Sequence, residues 1–346
     1  METDVLGTPY EQTRIVLDSD DEGEVVATLI SRRADEPTSR AVLYVHGYVD
    51  YFFQTHLAEF FTQRGYDFYA LDLRKYGRSL LAHQTPNFCR DVADYYPEID
   101  EAVRIIREEH GHDTLLVNGH STGGLITALW ADRVRGRGVL QGLFLNSPFF
   151  EFNEPWPVRR GLAKIINGVG ARRPKAKLPQ QLGTLYGTTL HRDHHGEWDY
   201  DLAWKPLNGY PIYAGWARAM SHAHRRLQAG LAIDVPILVA FSARSYRGRR
   251  FAEAAHHADS VLNVEHIARH APGLGPDVTL VRIEGGKHDL TLSPAAARER
   301  LFDELDGWLR SHLGAAQREN LALAPDLASQ DGRLDGESGA VPHDAG

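Results

Sequence analysis

The fold of this chain is decided by Gly119-His-Ser-Thr-Gly123, which follows the apolar run 114–117 and precedes a helical pattern. A serine between two glycines is typical here of a strand that turns sharply into a helix. The glycines leave room for neighbouring backbone, and the turn exposes the serine hydroxyl. A chance match is easy in a chain with 32 glycines, so the surroundings matter. In this context the motif makes Ser121 a candidate nucleophile.

Short apolar runs alternate with helix-period segments on both sides of the motif. The runs are brief and rich in β-branched residues, so we predict buried strands. They are Ala41–Val45, Tyr66–Leu71, Thr114–Val117, Val139–Leu145, Pro236–Phe241 and Val278–Ile283. Helical spacing is clearest at residues 57–61, 99–106 and 301–313. This order predicts an α/β protein with a mostly parallel sheet flanked by helices.

Three segments do not follow this alternation of strands and helices: one before it, one within it and one after it. Thr13–Leu17 and Glu24–Ser31 are predicted to form an antiparallel hairpin, with the acidic segment 18–23 as its turn. We divide the rest by pattern and composition. The divisions are residues 1–147 and 235–313 as the two parts of the core, 148–234 as an insertion, and 314–346 as a disordered tail rich in Ala, Gly, Asp and Ser.

Composition excludes several classes of function. The 346 residues include 46 acidic and 38 basic side chains, and the net charge of −8 does not favour nucleic acid or an anionic membrane. The single cysteine, Cys89, excludes a disulfide framework and a cysteine-based zinc site. The N-terminus lacks a signal-peptide pattern, and no apolar run reaches membrane-spanning length. We therefore expect a cytoplasmic protein without integral membrane association.

Four motifs in order resemble the α/β-hydrolase superfamily, particularly its lysophospholipases, monoacylglycerol lipases and S33-type serine aminopeptidases. The motifs are Tyr44-Val-His-Gly-Tyr48, Asp72-Leu-Arg-Lys-Tyr-Gly-Arg-Ser79, Gly119-His-Ser-Thr-Gly123 and Gly285-Gly-Lys-His-Asp289. The resemblance covers about residues 13–313. It implies the α/β-hydrolase fold with a cap, or lid, inserted at 148–234. The Asp72–Ser79 stretch is assigned a structural role.

The resemblance also implies the catalytic groups. Ser121 would be the nucleophile, and His288, in the loop after the last strand, would be its general base. The backbone N–H groups of Tyr48 and Thr122 would form the oxyanion hole. The alternative for His46-Gly47, next to Tyr48, is an ordinary turn after a strand.

The acid of this predicted triad is harder to assign. Its usual position, shortly after the strand Pro236–Phe241, is near Ser245, which is not acidic. An arginine-rich insertion follows at 244–250, and Ala258–Glu265 then resembles the usual acid segment displaced downstream. Asp259 leaves room for one helix and one strand before His288, so we predict that it is the acid. Glu265 is the alternative, and a helix N-cap is the structural alternative for Asp259.

The insertion is rich in aromatic residues that suit an apolar pocket wall. They are Trp156, Trp198, Trp204, Trp216, Phe149, Phe150, Phe152, Tyr200, Tyr210 and Tyr213. Attachment of the cap to the core explains most of them equally well. A polar loop explains His191, His194 and His195 better than a metal site does, because no carboxylate with supporting spacing accompanies them.

The function that these features predict is hydrolysis of a carboxylic ester. The expected substrate is a small acyl ester with an apolar acyl group, such as a lysophospholipid or monoacylglycerol. No cofactor or metal is expected, and the oligomeric state is open. A peptidase, amidase or acyltransferase with the same triad is the alternative. A non-catalytic ligand-binding homologue is a further one, because fold does not fix function.

Overall fold

A nine-stranded sheet crosses the computed structural model, which describes residues 2–153, 166, 168–179, 183–248 and 250–314. The strands are β1 (Glu2–Thr3), β2 (Glu11–Asp20), β3 (Gly23–Arg32), β4 (Arg40–Val45), β5 (Asp67–Asp72), β6 (Thr114–His120), β7 (Gly142–Asn146), β8 (Ile237–Ser242) and β9 (Val278–Ile283). Their order is β1-β2-β3-β5-β4-β6-β7-β8-β9. Strands β4 to β9 run parallel, and the first three join them antiparallel. The predicted α/β architecture is confirmed.

Helices connect the parallel strands. The α-helices whose bounds the structure describes in full are α1 (Thr55–Thr62), α2 (Tyr96–Arg104), α3 (Thr122–Val134), α4 (Leu185–Leu190), α5 (Ala214–Gln228), α6 (Val264–His270) and α7 (Ala295–His312). Helix α2 continues into a π-helical turn at Ile105–Glu109. Short 3₁₀ turns are at Gly77–Ser79, Val92–Tyr95, Glu253–His256, Ala271–Gly273 and Leu290–Leu292. None of the helices within the described ranges is long and apolar enough to cross a membrane.

The sheet separates two apolar cores, and β4 contributes to both. Successive strand residues point to opposite faces, so Leu43 and Val45 join the core that contains α2 and α3. Val42 and Tyr44 join the core that contains α1 and α7. Because both faces are covered, the central strands are continuous apolar runs, which is why the sequence predicts them.

The predicted hairpin is present, but the predicted turn 18–23 is too long. Strand β2 continues to Asp20, and β3 begins at Gly23. Two acidic side chains of the predicted turn bind the buried ammonium of Lys75. Its Nζ lies 2.5 Å from a carboxylate oxygen of Asp20 and 2.7 Å from one of Glu22. These ion pairs let polar residues continue the strands.

One further strand prediction needs correction, and one strand was missed. The predicted strand Val139–Leu145 begins only at Gly142, where pairing with β6 starts. Before it, the guanidinium of Arg107 binds the carbonyl oxygen of Val139, which takes that residue out of the ladder. The short strand β1 was not predicted, because two exposed residues carry no periodicity.

Residues 148–234 leave the sheet after β7 and return to it at β8. Their longest described helix is α5, and it was not predicted from the sequence. It buries Trp216, Met220, Ala223 and Leu227, four residues at helical spacing, in the core that also contains α3. Trp156 and nearly all of the predicted tail lie outside the described residues. The division into core, insertion and tail stays a prediction.

We predict that Glu22→Gln lowers the free energy of unfolding by about 3 kcal/mol near neutral pH, because it breaks a buried ion pair with Lys75. Burial acts to raise the pKa of Glu22, but hydrogen bonds from Lys75, Thr85 and Lys175 outweigh it and lower the pKa from 4.5 to about 2. Ionised Glu22 therefore stabilises the fold above about pH 4.5, and this contribution is lost as the pH falls toward 2.

Urea unfolding followed by tryptophan fluorescence measures the effect. The matched control is Glu24→Gln, because Glu24 pairs with Arg14 and both side chains are more than half exposed, so less than about 1 kcal/mol should be lost. The difference in the free energy of unfolding between wild type and Glu22→Gln should shrink as the pH falls from about 4.5 toward 2. Equal stability of the two variants near neutral pH would contradict the prediction.

Candidate active site

Ser121 occupies a strained turn between β6 and α3. Its backbone has φ 52° and ψ −116°, a conformation that non-glycine residues rarely adopt. Its N–H donates to the carbonyl oxygen of Asn146, and its carbonyl oxygen accepts from the N–H of Phe149, which fixes the turn from both sides. In this turn the side chain of Ser121 lines a cavity of the protein.

The glycines on either side of Ser121 are required by close packing. A Cβ at Gly123 would collide with the carbonyl oxygens of Val45 and His46, at the end of β4. A Cβ at Gly119 would collide with the side chain of Thr127 and with the start of α3. The motif thus brings β4, β6 and α3 together at the distance where only glycine fits.

His288 lies in the loop after β9 and faces Ser121. Its Nε2 is 2.9 Å from Oγ of Ser121, within hydrogen-bonding distance. Its Nδ1 is 2.9 Å from a carboxylate oxygen of Asp259. All three side chains are buried. The structure therefore brings together the three side chains that the sequence predicts as nucleophile, base and acid.

Backbone pairing with the segment just after β8 holds Asp259 in this place. The chain leaves at Arg244 and returns so that Asp259 forms a parallel bridge with Ser245, the usual acid position. The second carboxylate oxygen of Asp259 accepts from the N–H groups of Val261 and Leu262, both at 2.7 Å. The inserted residues form a loop that closes on itself.

The other carboxylates near the predicted site have different partners. Glu265, on α6, forms a two-pronged ion pair with Arg282 and is 60% exposed. Asp289 accepts hydrogen bonds from Asn146 at 2.8 Å and from Thr291. Burial acts to raise the pKa of Asp289, but the neighbouring His120 and these hydrogen bonds outweigh it and lower the pKa.

The predicted oxyanion donors lie beside Ser121. Thr122 is the first residue of α3, where backbone N–H groups have no helical acceptor. Tyr48 follows Gly47, whose Cβ position would be only 3.0 Å from Cβ of Ser121. Neither amide has a hydrogen-bond acceptor among the described residues, and both residues line the cavity. The two N–H groups are thus free to bind an oxygen atom there.

A cavity of about 590 Å³ opens onto Ser121. Its apolar wall comes mainly from residues 148–234 and includes Phe149, Phe152, Leu178, Ile212 and Trp216. Polar side chains of the wall include Asp50, Glu151, Tyr186, Lys205, Ser221, Arg225 and Gln228. The cavity can therefore accept a group with both apolar and polar parts next to the hydroxyl of Ser121.

The histidine cluster of the insertion does not converge on a common point. His195 stacks on Phe251 with ring centroids 3.7 Å apart, and Nδ1 of His191 accepts from the N–H of Asp193. Within the described ranges, ligand atoms converge instead at Asp50, His120 and Asp289, all within 4.8 Å of one another. A positive charge is already present there, because Nζ of Lys205 lies 2.6 Å from Asp50.

The sheet order, the strained turn at Ser121 and the histidine loop after β9 define an α/β-hydrolase fold. A family model described as serine aminopeptidase, S33, matches residues 36–294. Because the match covers far more than half of the chain, the protein belongs to this family. No curated protein sequence matches the chain.

Several solved structures are similar to this fold. A soluble variant of monoglyceride lipase from Saccharomyces cerevisiae, in complex with a substrate analogue, is 14% identical, with a TM-score of 0.62 over 86% of this chain and 94% of that one. A monoacylglycerol lipase from Paleococcus ferrophilus is 20% identical, with a TM-score of 0.56 over 87% and 99%. A carboxyl esterase from Bacillus coagulans is 13% identical, with a TM-score of 0.62 over 87% and 98%. At these identities the likeness supports the fold alone.

Sequence reasoning missed three polar residues of the cavity wall. Asp50, Tyr186 and Lys205 line the cavity although no motif includes Tyr186 or Lys205. Asp50 follows the His46-Gly47 pair closely, which is the one signal that could have suggested it. Lys205 gives no such signal, because its partner is far away in the chain.

We predict opposite effects from two glycine-to-alanine substitutions. Gly123→Ala should lower the free energy of unfolding by about 1 to 3 kcal/mol, because its Cβ collides with two carbonyl oxygens. Gly307→Ala, inside α7, should raise it by up to about 1 kcal/mol, because no atom lies near that Cβ and alanine favours helix. Urea unfolding measures both changes, and unchanged stability in Gly123→Ala would contradict the proposed packing.

Proposed function

We propose that this protein is a serine hydrolase that cleaves carboxylic esters through a covalent acyl-enzyme. Ser121 is the nucleophile, His288 the general base and acid, and Asp259 the acid of the triad. The observation that carries the proposal is the pair of 2.9 Å contacts that join Asp259 to His288 and His288 to Ser121. The strained turn at Ser121 supports it.

In the first half of the reaction, Nε2 of His288 takes the proton of the Ser121 hydroxyl while Oγ attacks the ester carbonyl. The tetrahedral intermediate collapses when the imidazolium gives that proton to the leaving alkoxide, which departs as an alcohol. In the second half, His288 takes a proton from water, whose oxygen attacks the acyl-enzyme. The proton then returns to Oγ, and the carboxylic acid leaves.

Asp259 and two backbone amides support these steps. The carboxylate of Asp259 accepts from Nδ1–H of His288, which selects the required tautomer and stabilises the imidazolium. The N–H groups of Tyr48 and Thr122 hold the oxyanion of the tetrahedral intermediate. Besides the ester and the water, the groups that act in these steps are side chains and backbone amides of the chain itself.

The substrate in this proposal carries an apolar acyl group, as in a monoacylglycerol or lysophospholipid. Residues 148–234 act as a cap that supplies most of the apolar wall next to Ser121. Solved structures of monoglyceride lipases and an esterase share the fold, which is consistent with this class of substrate.

The first test compares wild type, Ser121→Ala, Asp259→Asn and Glu265→Gln on p-nitrophenyl esters. Ser121→Ala removes the attacking oxygen, and Asp259→Asn disturbs the tautomer of His288, so each should lower kcat by about 10³-fold or more. Glu265→Gln is the matched carboxylate control, and it should keep nearly full activity because Glu265 binds Arg282 at the surface. Loss of activity in Glu265→Gln with retention in Asp259→Asn would reverse the assignment of the acid.

The second test varies the acyl chain. Each methylene that the cavity buries contributes about 0.8 kcal/mol, so kcat/KM should rise by about fourfold per carbon until the cavity is full. The matched series is p-nitrophenyl acetate, butyrate, hexanoate and octanoate, with one leaving group throughout. A flat or falling profile from the acetate onward would contradict an apolar acyl site.

A peptidase or amidase is the second candidate, favoured by the family description of serine aminopeptidase. Faster turnover of amino-acid p-nitroanilides than of esters would support it, provided that Ser121→Ala loses the anilide activity. Transfer of the acyl group to an alcohol in place of water would indicate an acyltransferase. Failure of Ser121 to react with a fluorophosphonate, together with no turnover of any ester or anilide, would favour a non-catalytic binding protein.

A further inference from the structure

A buried ion pair joins residues 148–234 to the turn that follows β4. Nζ of Lys205 donates to one carboxylate oxygen of Asp50 at 2.6 Å. The side chains are 9% and 2% exposed. The second oxygen of Asp50 is buried without a hydrogen-bond partner among the described residues. Lys205 is thus the principal compensation for a charge that is costly to bury alone.

The surroundings of Lys205 are aromatic. Its ammonium lies 5.7 Å from the ring centroid of Phe53, 6.0 Å from that of Tyr186 and 5.8 Å from that of Tyr200. Rings at these distances attract a cation. Both side chains are almost fully buried where they line the cavity, so solvent screens the ion pair less than it would a surface pair.

The same region of the insertion holds the turn after β4 at a second point. The N–H of Asp201 donates to the hydroxyl of Tyr51 at 2.7 Å, and Trp204 packs edge-on against the ring of Tyr51. The turn itself is strained, because Val49 has φ 51°, which is unusual for a β-branched residue. Such a conformation persists only where its surroundings enforce it.

We propose that Lys205 is a positioning residue for ester hydrolysis. Its ammonium holds Asp50, and with it the strained turn that carries the Tyr48 amide. It also cancels a buried negative charge beside His120, whose ring neighbours that of His288. This inference rests on the proposed function, since it assigns Lys205 a role in that reaction. Lys205 acts through Asp50.

The charges around His288 support the second part of this role. A carboxylate oxygen of Asp50 lies within 4.8 Å of a ring nitrogen of His120, whose ring centroid is 5.0 Å from that of His288. Burial lowers the pKa of His120, while Asp50 acts to raise it and Lys205 to lower it. Asp50 and Lys205 therefore change the pKa of His120 in opposite directions.

The other charged and titratable groups around His288 come from every neighbouring element. They are Asp259 after β8, His120 at the end of β6, Tyr186 on α4, and Lys287 and Asp289 in its own loop. Lys287 is buried, its Nζ donates to the carbonyl oxygen of Thr189, and burial lowers its pKa to about 8. The substitutions below keep all of these groups.

The test measures kcat/KM against pH, on one p-nitrophenyl ester, for wild type, Lys205→Met, Asp50→Asn and the double variant. The acid limb of this profile reports protonation of the free enzyme's base. Lys205→Met leaves a buried negative charge that favours the imidazolium, so the limb should move to higher pH by about one unit. Asp50→Asn leaves the positive charge, so the limb should move to lower pH.

The double variant should return the limb to near its wild-type position, because neither charge remains. Its plateau rate should still be lower than that of wild type, by about 10- to 100-fold, because the turn that carries Tyr48 has lost its anchor. Lys177→Met is the matched control, since Lys177 is an exposed lysine of the same insertion. It should leave both the plateau and the limb unchanged.

Two results would overturn the inference. One is a plateau value of kcat/KM in Lys205→Met equal to that of wild type. The other is an acid limb that does not move in opposite directions in Lys205→Met and Asp50→Asn. Urea unfolding followed by tryptophan fluorescence is measured in parallel to establish that each variant is folded, and labelling by a fluorophosphonate is measured for wild type. If wild type itself neither labels nor loses turnover in Ser121→Ala, the proposed function fails; if it does both, a negative result concerns Lys205 alone.

Discussion

The close approach of β4, β6 and α3 is the constraint on which the rest of this structure depends. Gly119 and Gly123 leave no space for a Cβ, so the chain can turn within a few residues and expose Ser121. The same contact presses the carbonyl oxygens that end β4 against α3. As a result, the residues that follow β4, including Tyr48, lie beside the serine.

Buried charges are the second organising feature, and each one described has compensation of its own. Asp259 binds His288 and two backbone N–H groups, and Asp289 binds Asn146 and Thr291. Asp50 binds Lys205. An unpaired carboxylate would be costly at any of these places, so each partner contributes to stability as well as to the electrostatics around His288.

Residues 148–234 do more than line the cavity, because they also bind the loop that carries His288. Thr189 accepts from Lys287, the hydroxyl of Tyr186 accepts from the N–H of Asp289, and the indole N–H of Trp198 donates to the carbonyl oxygen of Leu292. These contacts fix the loop on both sides of His288. The segment that supplies the apolar wall thus also holds the proposed base.

The sequence by itself determined the architecture, because local patterns encode the strands, helices and the turn at Ser121. It also offered His288 and Asp259 as candidates, through the resemblance of their segments to a known family. Strands buried on both faces are apolar runs, and a strained turn needs glycine at fixed positions. Only the tertiary structure decided that Glu22 belongs to a buried ion pair and that Asp259 returns beside Ser245. It alone brought Lys205 to Asp50, because an ion pair between residues 155 positions apart leaves no periodic or local trace in the chain.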